Sequence, residues 1–566
     1  MNDHEFLRVY DFVDRLRKPF LDVVDVEDEA AWRIVHYLMR SELEGYPVSI
    51  SKLALVSNLP RGTAIRRIQS MIDNGLIERR PASDTAKRFT LHPSARLSDL
   101  AANYAAQTKA LIAEIVGGRH NEEHEANYYF GAPRRGNPII PPINLLTNRV
   151  TKGVELQFLL NDDNYFAAMR NMWSDFRNNL ASAKSFKLMH QNDLYREGLA
   201  NGARAVSAYD IIAIDMPWLG EFASKGLVLP IGEMIRDSGI NPMDFHPSIW
   251  STTTWKRVEY GVPIYCTIEV LACRSDLFEQ EGMALPRTFD DVINAGRAFH
   301  NPAMGQYGIA WNAAHRPLAS SFMFFLGCCG QTVLSIRRTP TGFSTENLDA
   351  QHMRPQIDSE ASLLALDYMH RLLEIAQPGA LDAHWDDSCA AFLHGQAAMG
   401  YVWTMRAARF EAEVRSAVKR RVAYVPQPSG PGGTNTSPIG GFLLCIPSNI
   451  DPKRLPLATE ALAWMASREA MKEHVKNGFP VAPRFSVSAD PEAIGSSQLV
   501  RFVGSLANRN LLRNWQRPPV PFYTDMERIV GEEIHDALSG RKSDRTALKD
   551  AQDRLDRIIE RKSLDG

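Results

Sequence analysis

The densest chemistry in this chain is a cluster of guanidinium and ammonium groups near its start. Between Arg61 and His92 there are seven Lys/Arg against three Asp/Glu, in a chain of 566 residues with a formal net charge of only -2. Fixed cations at that density suit a polyanion, because neutralised phosphates release condensed counterions. Apolar spacing predicts a helix over 60–74, with Ala64, Ile65, Ile68, Met71 and Ile72 inward. Arg61, Thr63, Arg66 and Arg67 are then left outside. Pro60 suits its first turn and Gly75 its stop. Arg79, Arg80, Lys87 and Arg88 follow around a polar tip, in two segments that read as strands, Leu76–Arg80 and Arg88–His92. The competing reading of these cations is the solvated face of a protein-interaction module.

Other chemistry is poorly supplied. No G-x-x-x-x-G-K-[ST], H-E-x-x-H or G-x-S-x-G pattern occurs. No catalytic residue, metal ligand or cofactor is therefore expected. The glycine-rich run 430–435 lacks the lysine and following helix that would cradle phosphate, and reads as a surface loop. Six cysteines with no C-x-x-C spacing read as buried free thiols. His120, Glu122, Glu123, His124 and Glu125 read as a solvated linker rather than a metal site.

The elements that would position these groups fall into two textures. Residues 28–43 place Ala31, Ile34, Val35, Leu38 and Met39 on one helical face, and Ser49 is placed to cap a short second helix. A helix over 94–116 either dimerises or packs on its own domain, and 117–150, with its Gly-Gly and proline-rich runs, reads as a linker. From Thr151 onward strands and helices alternate, as in VELQFLL, SFKLMHQ and YDIIAID, which implies an α/β domain. Met1–Phe20 interleaves Asp3, Glu5, Asp11 and Asp14 with apolar residues, and no window holds the roughly 18 apolar residues of a membrane span. A cytoplasmic location and no membrane partner are expected.

Two resemblances sharpen this. The stretch KLALVSNLPRGTAIRRIQSMIDNGLIERR resembles bacterial winged-helix regulators, over about residues 28–92. That resemblance implies a winged helix-turn-helix over 28–93, with Arg61, Thr63, Arg66 and Arg67 in the major groove. Arg79, Arg80, Lys87 and Arg88 would grip phosphate from the wing. Five later stretches resemble, in order, the extracellular solute-binding proteins of sugar ABC transporters, across 151–562. They are DIIAIDMPWLGEFASKGLVLPI, EYGVPIYCTIEVLACRSDLFEQEGMALPRTFDDVINAGRAF, FLHGQAAMGYVWTMRAARF, SPIGGFLLCIPSNIDPKRLPLATEALAWMAS and IVGEEIHDALSGRKSDRTALKDAQDRLDRII.

This second resemblance implies two α/β lobes closing on a sugar or polyol, with the chain leaving the first lobe near Ile268–Cys273 and returning near Tyr424–Pro428. Carried over by position, Asp215, Trp218, Tyr265, Glu269, Trp403, Gly440 and Gly441 would face the ligand. Trp311 is a candidate by neighbourhood, as are Trp385 and Arg484. The family's tryptophan after the paired glycines is Phe442 here.

Together the halves lead to the expectation of a multidomain, non-enzymatic, cytoplasmic transcriptional regulator. It would act as a homodimer whose sensor alters binding to a DNA operator. The rival readings are a carbohydrate-binding protein with a winged-helix dimerisation or interaction module and no DNA role, and an enzyme using Asp215 and Glu269 as a carboxylate pair.

Overall fold

The computed structural model describes residues 29–44, 46–81, 89–115, 156–162, 186–237, 240–346, 348, 352–413, 415–476, 479–514 and 516–564. Lys87, Arg88 and the linker 117–150 lie outside these residues. The chain divides into two compact units, Met1–Gly131 with Ala412–Ala417 and Ala132–Glu411 with Val418–Gly566.

In the smaller unit, α1 (Glu29–Glu44), α2 (Ile50–Val56) and α3 (Arg61–Asp73) precede an antiparallel hairpin of β1 (Ile77–Pro81) and β2 (Phe89–Pro93); α4 (Ala95–Ile115) follows. The Ser49 hydroxyl accepts from the Lys52 N–H and so caps α2. Ala31, Ile34, Val35 and Leu38 of α1 meet Leu53, Ala64, Ile68, Met71, Leu91 and Leu97 in one core. The i, i+3, i+4 repeat is what places them on facing stripes. Ile65 departs from expectation and is 40% exposed, because it lies beside the Ala64–Ile68–Met71 stripe rather than on it.

In the larger unit a mixed sheet is built from β3 (Phe158–Asn161), β4 (Phe186–Met189), β5 (Ile211–Asp215), β6 (Gly261–Arg274), β7 (Tyr307–Ala310), β8 (Ala397–Trp403), β9 (Val422–Val425), β10 (Ser437–Cys445) and β11 (Leu512–Arg513). The order is β4–β3–β5–β10–β6–β8–β7, with β9 also on β6 and β11 on β10. β5, β6, β8 and β10 are buried at every residue, the pattern of a sheet covered on both faces. The covering helices include α5 (Gln191–Gly202), α6 (His315–Cys328) and α7 (Tyr523–Leu538). All six cysteines are buried thiols outside any disulfide.

The 14-residue strand β6 organises this unit. Its first part, Gly261–Ile268, pairs with β10, while Glu269–Cys273 pairs with β8. One strand thus changes neighbours between Ile268 and Glu269 and serves two lobes. Thr404 holds the changeover: its hydroxyl accepts from the Ile268 N–H at 3.0 Å and lies 3.1 Å from the Thr267 hydroxyl.

Candidate functional site

The changeover gathers residues that are far apart in the chain. Asp215, at the end of β5, is level with Phe442 on β10, and Phe442 is level with Tyr265 on β6. Gly440 and Gly441 stand opposite Thr267 and Cys266, while Glu269 stands opposite Trp403. Six of the expected residues therefore share one region by register alone: Asp215, Tyr265, Glu269, Trp403, Gly440 and Gly441.

The glycines there are required by space. Gly441 has a φ of +119°, and a Cβ on it would collide with the Tyr265 carbonyl. A Cβ on Gly440 would sit 2.7 Å from the Trp403 ring and 2.9 Å from an Arg517 nitrogen, so the bare backbone lets both groups approach. Phe442, standing where the resemblance has tryptophan, stacks on Tyr265 with centroids 5.4 Å apart and planes 18° apart.

Arg517 is the residue the sequence did not single out. It lies in the turn before α7, between Gln516 and Pro518, with no motif around it. Its guanidinium is buried 5.7 Å from the centre of the Trp403 ring and 3.5 Å from each Asp215 oxygen. Burial opposes its charge, but the carboxylates of Asp215 and Glu527, together with the Tyr523 phenol, outweigh that and hold its pKa above the ordinary value. Gln191 Nε2, on α5, donates to Asp215 Oδ2 at 2.7 Å and fixes that carboxylate.

Glu269 lies deeper. Burial pushes its carboxyl up to about 8, against the lowering pull of Arg517 and of the hydrogen bond donated by Gln427. A second ion pair, Arg316 with Glu527 at 3.0 Å, flanks the Asp215–Arg517 pair. Burial also raises the Glu527 pKa, and Arg316 only partly offsets it.

Other expected residues are placed differently. Trp218 is fully buried among Tyr195, Phe222 and the Arg316 guanidinium, which lies 5.8 Å from its ring. Trp311 is also fully buried, and its backbone N–H and carbonyl are both tied to the Gln377 amide. The indole N–H groups of Trp218 and Trp311 have no hydrogen-bond partner among the described residues. Trp385 is covered by Arg406 at 5.8 Å, and Arg484 is held by Asp244 at 2.7 Å. Gly430 is buried and Gly433 abuts the Cys328 carbonyl, so part of the run read as a surface loop is packed.

Residues 192–472 match the family model described as bacterial extracellular solute-binding protein. The mannitol-binding protein of Pseudomonas aeruginosa is 22% identical over 396 residues, covering 67% of this chain and 87% of the relative. An ABC transporter solute-binding protein of Agrobacterium radiobacter, solved with ribitol, aligns with a TM-score of 0.64 at 22% identity, over 72% of this chain and 99% of its own. One from Agrobacterium vitis, solved with D-mannitol, aligns with a TM-score of 0.61 at 19% identity, over 72% and 98%. The two-lobed α/β fold of periplasmic binding proteins is thereby established for the larger unit.

These matches correct the expectation of a cytoplasmic, DNA-binding transcriptional regulator. The matched family is described as extracellular, and the relatives are named as a mannitol-binding protein and an ABC transporter solute-binding protein. An operator-DNA partner falls with that reading, as does the cytoplasmic location.

The cations that suggested it are in part committed elsewhere. Arg80 binds Glu78 and, at 3.5 Å, Glu42 of α1; Arg79 donates to Gln69 at 2.6 Å and covers the Phe89 ring. Arg61, Thr63 and Arg66 are exposed, Arg67 is partly buried, and Lys87 and Arg88 are not described. An exposed basic face is adequately explained by solvation.

Proposed function

We propose that the larger unit binds a small, polyhydroxylated ligand, a sugar or polyol, at the region where β6 changes lobes. The observation that carries this is the convergence of Asp215, Arg517 and the Trp403 ring over the bare backbone of Gly440. A carboxylate accepts from hydroxyls and a guanidinium donates to them, while an indole face covers the C–H side of a carbon chain. Tyr265, Glu269 and Gly441 shape the same region.

The mannitol-binding relative and the ribitol- and mannitol-bound neighbours support this ligand class. The site holds and releases its ligand without chemistry, in keeping with a binding family. Closure of two lobes follows when the ligand touches both only in the closed state.

A thermal-shift and calorimetric screen of ribitol, D-mannitol and maltose against the full chain tests the reading. Saturable binding with a raised melting temperature is the expected result. A flat response to all three removes it.

For the smaller unit, the order helix, helix, helix, hairpin supports reading residues 29–93 as a winged-helix interaction module. With its own core, this unit should stay folded whether the larger unit is occupied or empty, so its protease resistance should not change with ligand.

A further inference from the structure

We propose that Asp215 and Arg517 form a charge-matched anchor that receives two neighbouring hydroxyls and confines the site to uncharged ligands. This rests on the binding reading above and adds the ligand's charge and the residues that set it.

The geometry around Arg517 is that of a buried cation whose hydrogen bonds are incomplete. Charge-assisted contacts between guanidinium and carboxylate are usually about 2.7–2.9 Å long. Here both Asp215 oxygens lie 3.5 Å from Arg517 Nη1, and Nη2 lies 3.4 Å from the Ile439 carbonyl. Nε has no acceptor among the described residues. The Tyr523 phenol is a further neighbour, yet the contacts to Asp215 and Ile439 are long for a buried guanidinium with five N–H donors. A buried group left in that state is costly, and a site that will later supply acceptors is where such a state is tolerated.

A hydroxyl is both donor and acceptor. Placed between the pair, one hydroxyl accepts from Arg517 and donates to Asp215. Its neighbour on the next carbon reaches the second carboxylate oxygen or the second guanidinium nitrogen. The long direct contacts are then replaced by short charge-assisted ones. Gln191, on the far side of Asp215, keeps the carboxylate in place while this happens. The Trp403 ring beside Arg517 covers the carbon chain.

Charge selection follows from the neighbours. Arg517 is answered by Asp215, and Arg316 by Glu527 at 3.0 Å. An anionic ligand such as an aldonate would face Asp215 with no spare cation. A cationic aminopolyol would face Arg517 in the same way.

The test is calorimetry on the full chain with D-mannitol, ribitol, D-gluconate and D-glucamine. The unaltered protein should bind a neutral polyol at least tenfold more tightly than either charged analogue. Gluconate bound as tightly as mannitol would leave the binding function intact and remove the anchor. Failure to bind any of the four removes both.

Asp215→Asn frees the Arg517 charge. It should weaken polyol binding at least tenfold and create measurable gluconate binding that the unaltered protein lacks. Arg517→Gln should weaken polyol binding without that gain. A folded Asp215→Asn protein that binds mannitol within twofold of the parent and still rejects gluconate overturns the proposal. Should that variant fail to fold, the discrimination shown by the unaltered protein decides alone.

Discussion

The two units treat charge in opposite ways. In the smaller unit, Arg79 and Arg80 lie at or near the surface and find Gln69, Glu78 and Glu42 as neighbours. Such pairs hold their charges in water, where each is worth under about 1 kcal/mol. In the larger unit, Asp215, Arg517 and Glu527 have side chains no more than 8% exposed, and their mutual contacts decide whether the region is tenable at all. A cluster of charge in sequence thus says little about function until its burial is known. The basic run between Arg61 and His92 is conspicuous on paper and cheap in space; Arg517 is inconspicuous and expensive.

That contrast is breakable by substitution. Arg517→Ala leaves Asp215 buried without its countercharge and should cost about 3–5 kcal/mol in chemical denaturation, with ligand-induced stabilisation lost. A loss below 1 kcal/mol would mean that solvent reaches the pair, and the distinction between the units would shrink.

Glu269 gives the next effect. Its folded pKa of about 8 lies above that of an unfolded glutamate, so the folded chain holds the proton more tightly. Stability from this group is greatest at acidic pH and falls as pH rises from about 4.5 to 8, by on the order of 5 kcal/mol. Glu269→Gln should flatten this part of the stability profile, read by urea unfolding across that range.

Gly441→Ala forces a side chain onto a φ of +119° against the Tyr265 carbonyl. A loss of about 1–3 kcal/mol is expected, visible in the melting temperature. The smallest change belongs to the other unit. Arg79→Ala removes an exposed pairing with Gln69 and the cover over the Phe89 ring, and should move stability by less than about 1 kcal/mol. An effect as large as that of Arg517→Ala would erase the comparison.

Much of the larger fold was legible because its strands carry their own signatures. The runs IIAID and GVPIYCTIEVLACR are apolar enough to announce burial on both faces, and the paired glycines with Trp403 sit in recognisable stretches. Arg517 was not legible, because it stands 302 residues from Asp215 and nothing local marks it. An arginine between Gln516 and two prolines, ahead of an apolar run, is the one available hint. Gln427 and Gln191 were missed for the same reason, since an amide announces nothing until its partner is known.

The smaller unit shows the reverse failure. Its helices were placed nearly to the residue, yet the function drawn from its charge was overturned. Local spacing reports which face is wet, and Glu42, far upstream of Arg80, was not counted against it.

The strand order of the larger unit has a consequence for how the protein is made. β5 and β6 are separated in the sheet by β10, so the slot between Ile211–Asp215 and Gly261–Ile268 stays unfilled until Ser437–Cys445 has left the ribosome. Through the synthesis of everything between Arg274 and Ser437, two largely apolar strands present open edges to whatever else is nearby. The nascent chain depends on being shielded during that interval, and a ribosome stalled there leaves a sticky half-product rather than a finished lobe.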